Sequence, residues 1–264
     1  MAQKRVDPRG RGRVGAKVNP KARGRSPLAR FYGILAVVGI AGIAGIAYLA
    51  TRPKASARVV DPNLPPAEAK GYLLGNPAAP VTITEFADFE CPACGNFATI
   101  TEPDVRERLV NTGQANVRFY DFPLEIHKNT WQASHAAACA NDQGRFWEMH
   151  DRLFAGQHEW NGEATGNPTR VHRGYAQQLG LDVAKWEACV ESEVHQPEIA
   201  ANRAEAIRLG VQSTPTFIIG GKMVPGSLPY DEIARMVAEA AKTAPRPATG
   251  TGTATSAGTA TAGR

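Results

Sequence analysis

Twenty consecutive residues, Phe31 to Ala50, carry no charge (FYGILAVVGIAGIAGIAYLA). A helix of that length reaches about 30 Å, the thickness of a bilayer hydrocarbon core. Arg30 and Arg52 close its two ends, and Tyr32 and Tyr48 fall at interfacial depths. Two other readings are open to such a run. Ala55-Ser56-Ala57 is an A-x-A sequence, as at a signal-peptide cleavage site, but a signal core is only about 7–15 residues long. A buried helix of a globular domain would show a polar stripe, and this run has none. The segment therefore reads as an uncleaved anchor, and it divides the chain.

The charge is divided in the same place. Residues 1–30 hold ten Lys or Arg against Asp7 alone, a net of +9, whereas residues 71–242 have a net charge of −8. The overall +5 is thus a property of the N-terminal tail. A basic, Gly-rich tail by itself would suit nucleic acid. Placed ahead of an apolar span, it instead sets the N-terminus in the cytoplasm and all that follows Arg52 outside it. The expectation is a single-pass membrane protein that meets lipid through residues 31–50 and has no nucleic-acid partner.

Residues 51–70 are polar and Pro-containing and read as a linker. Residues 243–264 hold no aliphatic side chain larger than Ala and read as a disordered low-complexity tail. That leaves 71–242 as the folded domain. Within it, Val81 to Phe86 is β-branched and aromatic, and reads as a strand. A helix is expected from Pro92 to about Asn111, followed by a strand over Val117 to Phe122. A helical region from about 128 to 209 comes next, interrupted near Gly144, over 157–169, and near Gly180 and Pro197. Thr216 to Ile219 and Lys222 to Val224 are two more strands, joined by the Gly220-Gly221 turn. Tyr230 to Lys242 is a closing amphipathic helix. The order is β-α-β, an all-helical insertion, then β-β-α, an α/β arrangement preceded by one transmembrane helix.

Cys91-Pro92-Ala93-Cys94 carries the chemistry. Two thiols spaced C-x-x-C at a helix start are close enough to form a disulfide. Pro92 is well placed there, because its missing N–H would have had no partner. Cys91 would lie beside unpaired backbone N–H groups at the positive end of the helix, which favours thiolate. Cys94, a turn further in, would be the shielded resolving thiol. The other reading is half of a zinc site, which needs four ligands. Neither a second C-x-x-C nor an H-x₃₋₅-H pair is present. No cofactor-binding motif and no metal site is expected.

The runs EFADFECPAC (85–94), FWEMHD (146–151) and TPTF (214–217) resemble the DsbA-like branch of the thioredoxin superfamily, in order, over about residues 71–242. The resemblance implies a thioredoxin fold with a helical insertion and extracytoplasmic thiol–disulfide exchange at a bacterial cytoplasmic membrane. The partners it implies are cysteine-containing protein substrates and a membrane redox partner that recycles the site. It also implies that Pro215 is a cis-proline against the active-site cysteines. Thr214 and Pro92 would then meet substrate, and Glu85 would be a buried acid serving Cys94. The family's strongly oxidising members carry His where this chain has Ala93. The expected direction is oxidation. Reduction or isomerisation at the same site, and a membrane-tethered Cu(I) chaperone, are the alternatives.

Cys139 and Cys189 lie in the insertion and, in an oxidising compartment, are expected to form a structural disulfide; two free thiols are the alternative. His135, four residues before Cys139, has ligand-like spacing but no evident fourth ligand, and reads as a packed or surface residue. Phe146, Trp147, Met149, His150, Leu153 and Phe154 have helical spacing suited to core packing. His127, His158, His172 and His195 show no readable acid partner. Acidic patches on the domain read as solvated surface.

Overall fold

A computed structural model describes residues 27–51, 58–59 and 69–243. The expectations for 1–26 and 244–264, and most of those for the linker, lie outside the described residues. The chain forms two units, which divide after Lys54. Among its described residues the first contains one helix, α1 (Pro27–Thr51). Its described side chains from Phe31 to Ala47 are all exposed. Among the described residues no helix is long and apolar enough to cross a membrane; the described side chains of α1 cover only part of the uncharged run.

The second unit is built on a six-stranded sheet. Its strands are β1 (Arg58–Val59), β2 (Tyr72–Leu74), β3 (Thr82–Ala87), β4 (Asn116–Asp121), β5 (Thr216–Ile219) and β6 (Lys222–Pro225), in the order β1-β6-β5-β3-β4-β2. β3 is central, parallel to β4 and antiparallel to β5. Its alternation sends Ile83, Glu85 and Ala87 to one face and Phe86 to the other. Phe86 packs with Ala206, Val211 and Met223, whereas Ile83 packs with Phe97, Leu109 and Phe217. Gly220 and Gly221 both take positive φ (57° and 73°), as a two-residue hairpin turn requires.

Two strands went unread in the sequence. β1, inside the expected linker, pairs with β6, and β2 pairs with β4. At two and three residues they are too short to show a period.

The helix expected to run to Asn111 is continuous from Pro92 to Val110 but not uniform. α2 (Pro92–Asn96) passes through a wide five-residue turn at Phe97–Thr101 into α3 (Glu102–Val105), and a second wide turn follows at Arg106–Val110. Pro103 has no N–H to give the preceding turn, which accounts for the first widening.

The insertion comprises α4 (Thr130–Asn141), α5 (Phe146–Ala155), α6 (Gln157–Trp160), α7 (Pro168–Gln178), α8 (Val183–Ser192) and α9 (Gln196–Leu209); α10 (Tyr230–Thr243) closes the fold. The expected loop at 157–169 thus contains α6, and the break expected near Pro197 falls at 193–195, between α8 and α9, with Pro197 in the first turn of α9. α4 is buried almost all round, and its alanines allow Trp186 and Tyr175 to pack closely. The Trp186 and Trp160 ring N–H groups donate to the carbonyls of Ala136 and Leu153, so neither buried indole lacks a partner. The architecture is a thioredoxin fold with a helical insertion.

Candidate active site

β3 ends at Ala87, and the chain turns through Asp88-Phe89-Glu90 into α2. The turn is built by two buried carboxylates. Asp88 Oδ1 accepts from the Glu90 N–H at 2.7 Å and the Thr130 hydroxyl at 2.5 Å. Its Oδ2 accepts from the Leu124 N–H at 2.7 Å and meets His127 Nδ1 at 2.8 Å. Glu90 accepts from the N–H groups of Gly162 and Asn129 at 2.5 and 2.6 Å. Gln157 reaches across from α6 and donates to the carbonyls of Phe89 and Cys91 at 2.7 and 2.9 Å. That approach needs Gly95, where a Cβ would lie 2.5 Å from Gln157 Oε1.

The two thiols held by this frame are unlike. Cys91 is the N-cap of α2, and its thiol donates to the Thr214 carbonyl at 3.5 Å. Its pKa is lowered to about 6, mainly by the hydrogen bond from the Cys94 thiol. Burial opposes this; the Thr214 hydroxyl and the backbone N–H groups of Cys94 and Ala93 assist. The N–H groups at the helix start thus act as expected, but the largest contribution is the second cysteine, which the sequence reading did not weigh. Cys94 has no exposed surface, and burial pushes its thiol well up, with the hydrogen bond to Cys91 adding to it. Pro215 follows a cis peptide bond from Thr214. Pro92 is exposed and lines a cleft of about 300 Å³ with Glu90, Ile126, His127, Lys128 and Asn161.

Glu85 is buried on the face of β3 that carries Ile83 and Ala87, and its charge adds to the raising of Cys94. Burial raises its pKa well above the carboxylate range; the charge of Glu102 adds to this, and Arg106 works against it. Arg106 Nε lies 3.0 Å from Glu102 Oε1, and its other nitrogens lie 2.6 and 2.8 Å from the two oxygens of Asp151.

Glu85 is buried as the resemblance implies, but other readings from the sequence need correction. Asp88, Glu90, Glu102 and Asp121 are buried too and are not part of a solvated surface. His127 and His195 have acid partners, the first in Asp88 and the second in Asp142 and Glu198 at 2.9 and 3.1 Å. Exposed His158 comes within 4.0 Å of Glu159. His150 packs on Phe119 and Trp147 as its spacing implies, but also contacts Asp151 and Arg106. The signal available was the density of acids around the motif (Glu85, Asp88, Glu90), which is unusual for a strand end leading into a core.

Cys139 and Cys189 are joined by a disulfide that ties α4 to α8. Their sulfurs lie near His195, but bonded sulfurs offer no thiolate to a metal. His135 is buried, and its Nε2 meets Gln196 Oε1 at 2.8 Å.

A β-α-β/β-β-α sheet, a C-x-x-C helix start and a facing cis-proline define a thiol–disulfide exchange scaffold, and comparisons with known proteins agree. The family model described as Thioredoxin matches residues 68–239. The Na(+)/H(+) antiporter NhaA 3 of Salinispora tropica is 34% identical over 187 residues, 70% of this chain and 27% of that protein. The chain thus spans about a quarter of the length of that relative. The probable disulfide bond formation protein D of Bacillus anthracis is 26% identical over 152 residues, 57% of this chain and 70% of that one. Among solved structures, oxidised BdbD from Bacillus subtilis superposes with a TM-score of 0.59 at 21% identity, covering 72% of this chain and 99% of its own. The chain belongs to the thioredoxin family, and its architecture is that of the DsbA-like proteins.

Proposed function

We propose that this chain is a thiol–disulfide oxidoreductase that oxidises cysteine-containing proteins outside the cytoplasm through Cys91 and Cys94. A substrate thiolate attacks Cys91 Sγ of the Cys91–Cys94 disulfide, forming a mixed disulfide and expelling Cys94 as thiolate. Glu85 gives that thiolate a proton. A second substrate thiolate then attacks the substrate sulfur of the mixed disulfide. The substrate leaves oxidised by two electrons, and Cys91 leaves as thiolate. Thr214 and Pro215 present backbone beside Cys91, where an extended substrate segment would lie as an added strand.

The observation that carries this reading is the asymmetry of the two thiols: Cys91 is lowered to about 6, while Cys94 is buried and raised. A stabilised thiolate favours the reduced form and makes the disulfide oxidising. Ala93 favours the alternative of a reductase, because it offers no positive charge to Cys91. Equilibration with glutathione redox buffers separates the two. A potential near that of protein disulfide isomerase or above supports the oxidant, and one near thioredoxin's, about −270 mV, overturns it.

The setting is part of the proposal. Residues 31–50 anchor the chain with its N-terminus inside, and a membrane redox partner re-oxidises the cysteines. Carbonate extraction with protease access on spheroplasts tests the topology; a released protein beginning near Arg58 would show cleavage instead.

A further inference from the structure

Around Phe119, which pairs with Glu85 across the sheet and packs on His150, lie three buried polar atoms with no hydrogen-bond partner: Glu85 Oε2, Glu102 Oε2 and His150 Nε2. Unpaired buried polar atoms are costly, and three in one neighbourhood point to a use. Two of them face each other, with His150 Nε2 lying 3.9 Å from Glu102 Oε2. The remaining atoms of both residues are tied down. Arg106 holds Glu102 Oε1, and His150 Nδ1 lies 2.8 Å from Asp151 Oδ1. Asp151 as carboxylate can only accept, and at 2.8 Å it is nearer to Nδ1 than the Arg106 donor at 3.4 Å, so Nδ1 carries the ring proton and Nε2 keeps a free lone pair.

The line ends in solvent. Glu85, Glu102 and His150 are at most 1% exposed, whereas the Asp151 side chain is 51% exposed. Around the ring lie Phe89, Phe119, Phe146, Trp147 and Phe154, which have no titratable group. The charged groups that face it are therefore Glu102 and Arg106 from the helix after α2 and Asp151 from its own helix. Glu102, His150 and Asp151 could also surround a cation. The Arg106 guanidinium already neutralises both carboxylates from between them, which leaves a metal ion little to gain.

We propose that Glu102, His150 and Asp151 form the path by which Glu85 exchanges its proton with solvent, with His150 as the carrier. This rests on the oxidoreductase reading. After Glu85 has protonated the expelled Cys94 thiolate, it is a carboxylate on a residue only 1% exposed. When the disulfide re-forms, Glu85 passes its proton to Glu102, which gives one to His150 Nε2 as Nδ1–H is given up to Asp151 and solvent, leaving the ring protonated at Nε2. On the next reduction a proton from solvent enters through Asp151 at Nδ1 as Nε2–H is delivered to Glu102, which passes it to Glu85, and the ring is again protonated at Nδ1. No electrons move along this path. His150 acts through Glu85 and is a positioning residue rather than a catalytic one.

The test is stopped-flow reduction of the oxidised protein by dithiothreitol in weak buffer, following tryptophan fluorescence and a pH indicator together. In the unaltered protein, proton uptake at the Cys94 side keeps pace with reduction. In His150→Gln, which retains a donor toward Asp151 but cannot carry a proton, uptake should lag reduction at least tenfold, while the Cys91 alkylation profile is unchanged. Asp151→Asn, on the half-exposed end, should show the same lag and decides the matter if His150→Gln does not fold. Uptake in step with reduction in Asp151→Asn, or in a folded His150→Gln, overturns the proposal. An unaltered protein that does not react with dithiothreitol at all overturns the oxidoreductase reading instead.

Discussion

Replacing Cys94 by Ala isolates the cause of the reactivity of Cys91. The Cys94 thiol is the largest influence lowering Cys91 to about 6, ahead of the Thr214 hydroxyl and the backbone N–H groups. At pH 7 a thiol of that pKa is about nine-tenths ionised, which stabilises the reduced form by about 1.4 kcal/mol relative to an ordinary thiol. For a two-electron couple that is worth about 30 mV toward oxidation. Cys94→Ala should raise the Cys91 pKa by at least about one unit, cutting its thiolate fraction at pH 6 from about one half to about one tenth. The assay is the rate of iodoacetamide alkylation against pH, with mass spectrometry confirming the site. Expected is a midpoint near 6 for the reduced protein and about fivefold slower alkylation of the variant at pH 6. A variant midpoint still near 6 would show that the helix start alone lowers Cys91. A midpoint above 8 in the unaltered protein would refute the asymmetry itself.

Removing the other disulfide as Cys139→Ala/Cys189→Ala should cost about 4 kcal/mol on the chain-entropy account of a 50-residue separation, read by urea denaturation, with exchange activity retained. Stability should also depend on pH from two sides. Burial lowers His172 to about 3, so its stabilising contribution is complete above the unfolded pKa of about 6.5 and falls away as pH drops toward 3, by about 5 kcal/mol in all. Burial raises Asp121 to about 6, so its contribution is complete below about pH 4 and is lost as pH rises through 6, by about 3 kcal/mol. His172→Phe should flatten the acid limb of a stability–pH curve and Asp121→Asn the fall between pH 4 and 6; unchanged limbs would count against these assignments. Asp88→Ala leaves the N–H groups of Glu90 and Leu124 and the Thr130 hydroxyl without their acceptor, and should lower stability by about 3 kcal/mol or more in thermal melts.

Local signals in this chain are strong where one residue type has one conformational use. The Gly220-Gly221 turn, Pro92 in the first turn of α2 and the β-branched run of β3 are legible because sterics act on neighbours in sequence. The order of elements follows from them, and with it the thioredoxin topology. β1 and β2 were not legible, since strands of two and three residues are defined by partners more than 40 residues away. The widened turns around Pro103 and the helix over Gln157–Trp160 were missed for a related reason: each is a compromise with what packs on it.

At the site the division is sharper. The sequence by itself determined that two thiols stand one helical turn apart at a helix start, with a proline inside it and an acid six residues earlier on a strand. Covalent spacing and backbone geometry require no more. Only the tertiary structure decided that Glu85 is desolvated, that Asp88 meets His127, that Thr214 lies over Cys91 and that His150 joins Glu102 to Asp151. The long-range pairs among these are 39 to 123 residues apart, and the neighbours His150 and Asp151 are turned toward each other by packing alone. Proton affinity depends on distance and on exclusion of water, and neither is a property of a residue's neighbours in the chain.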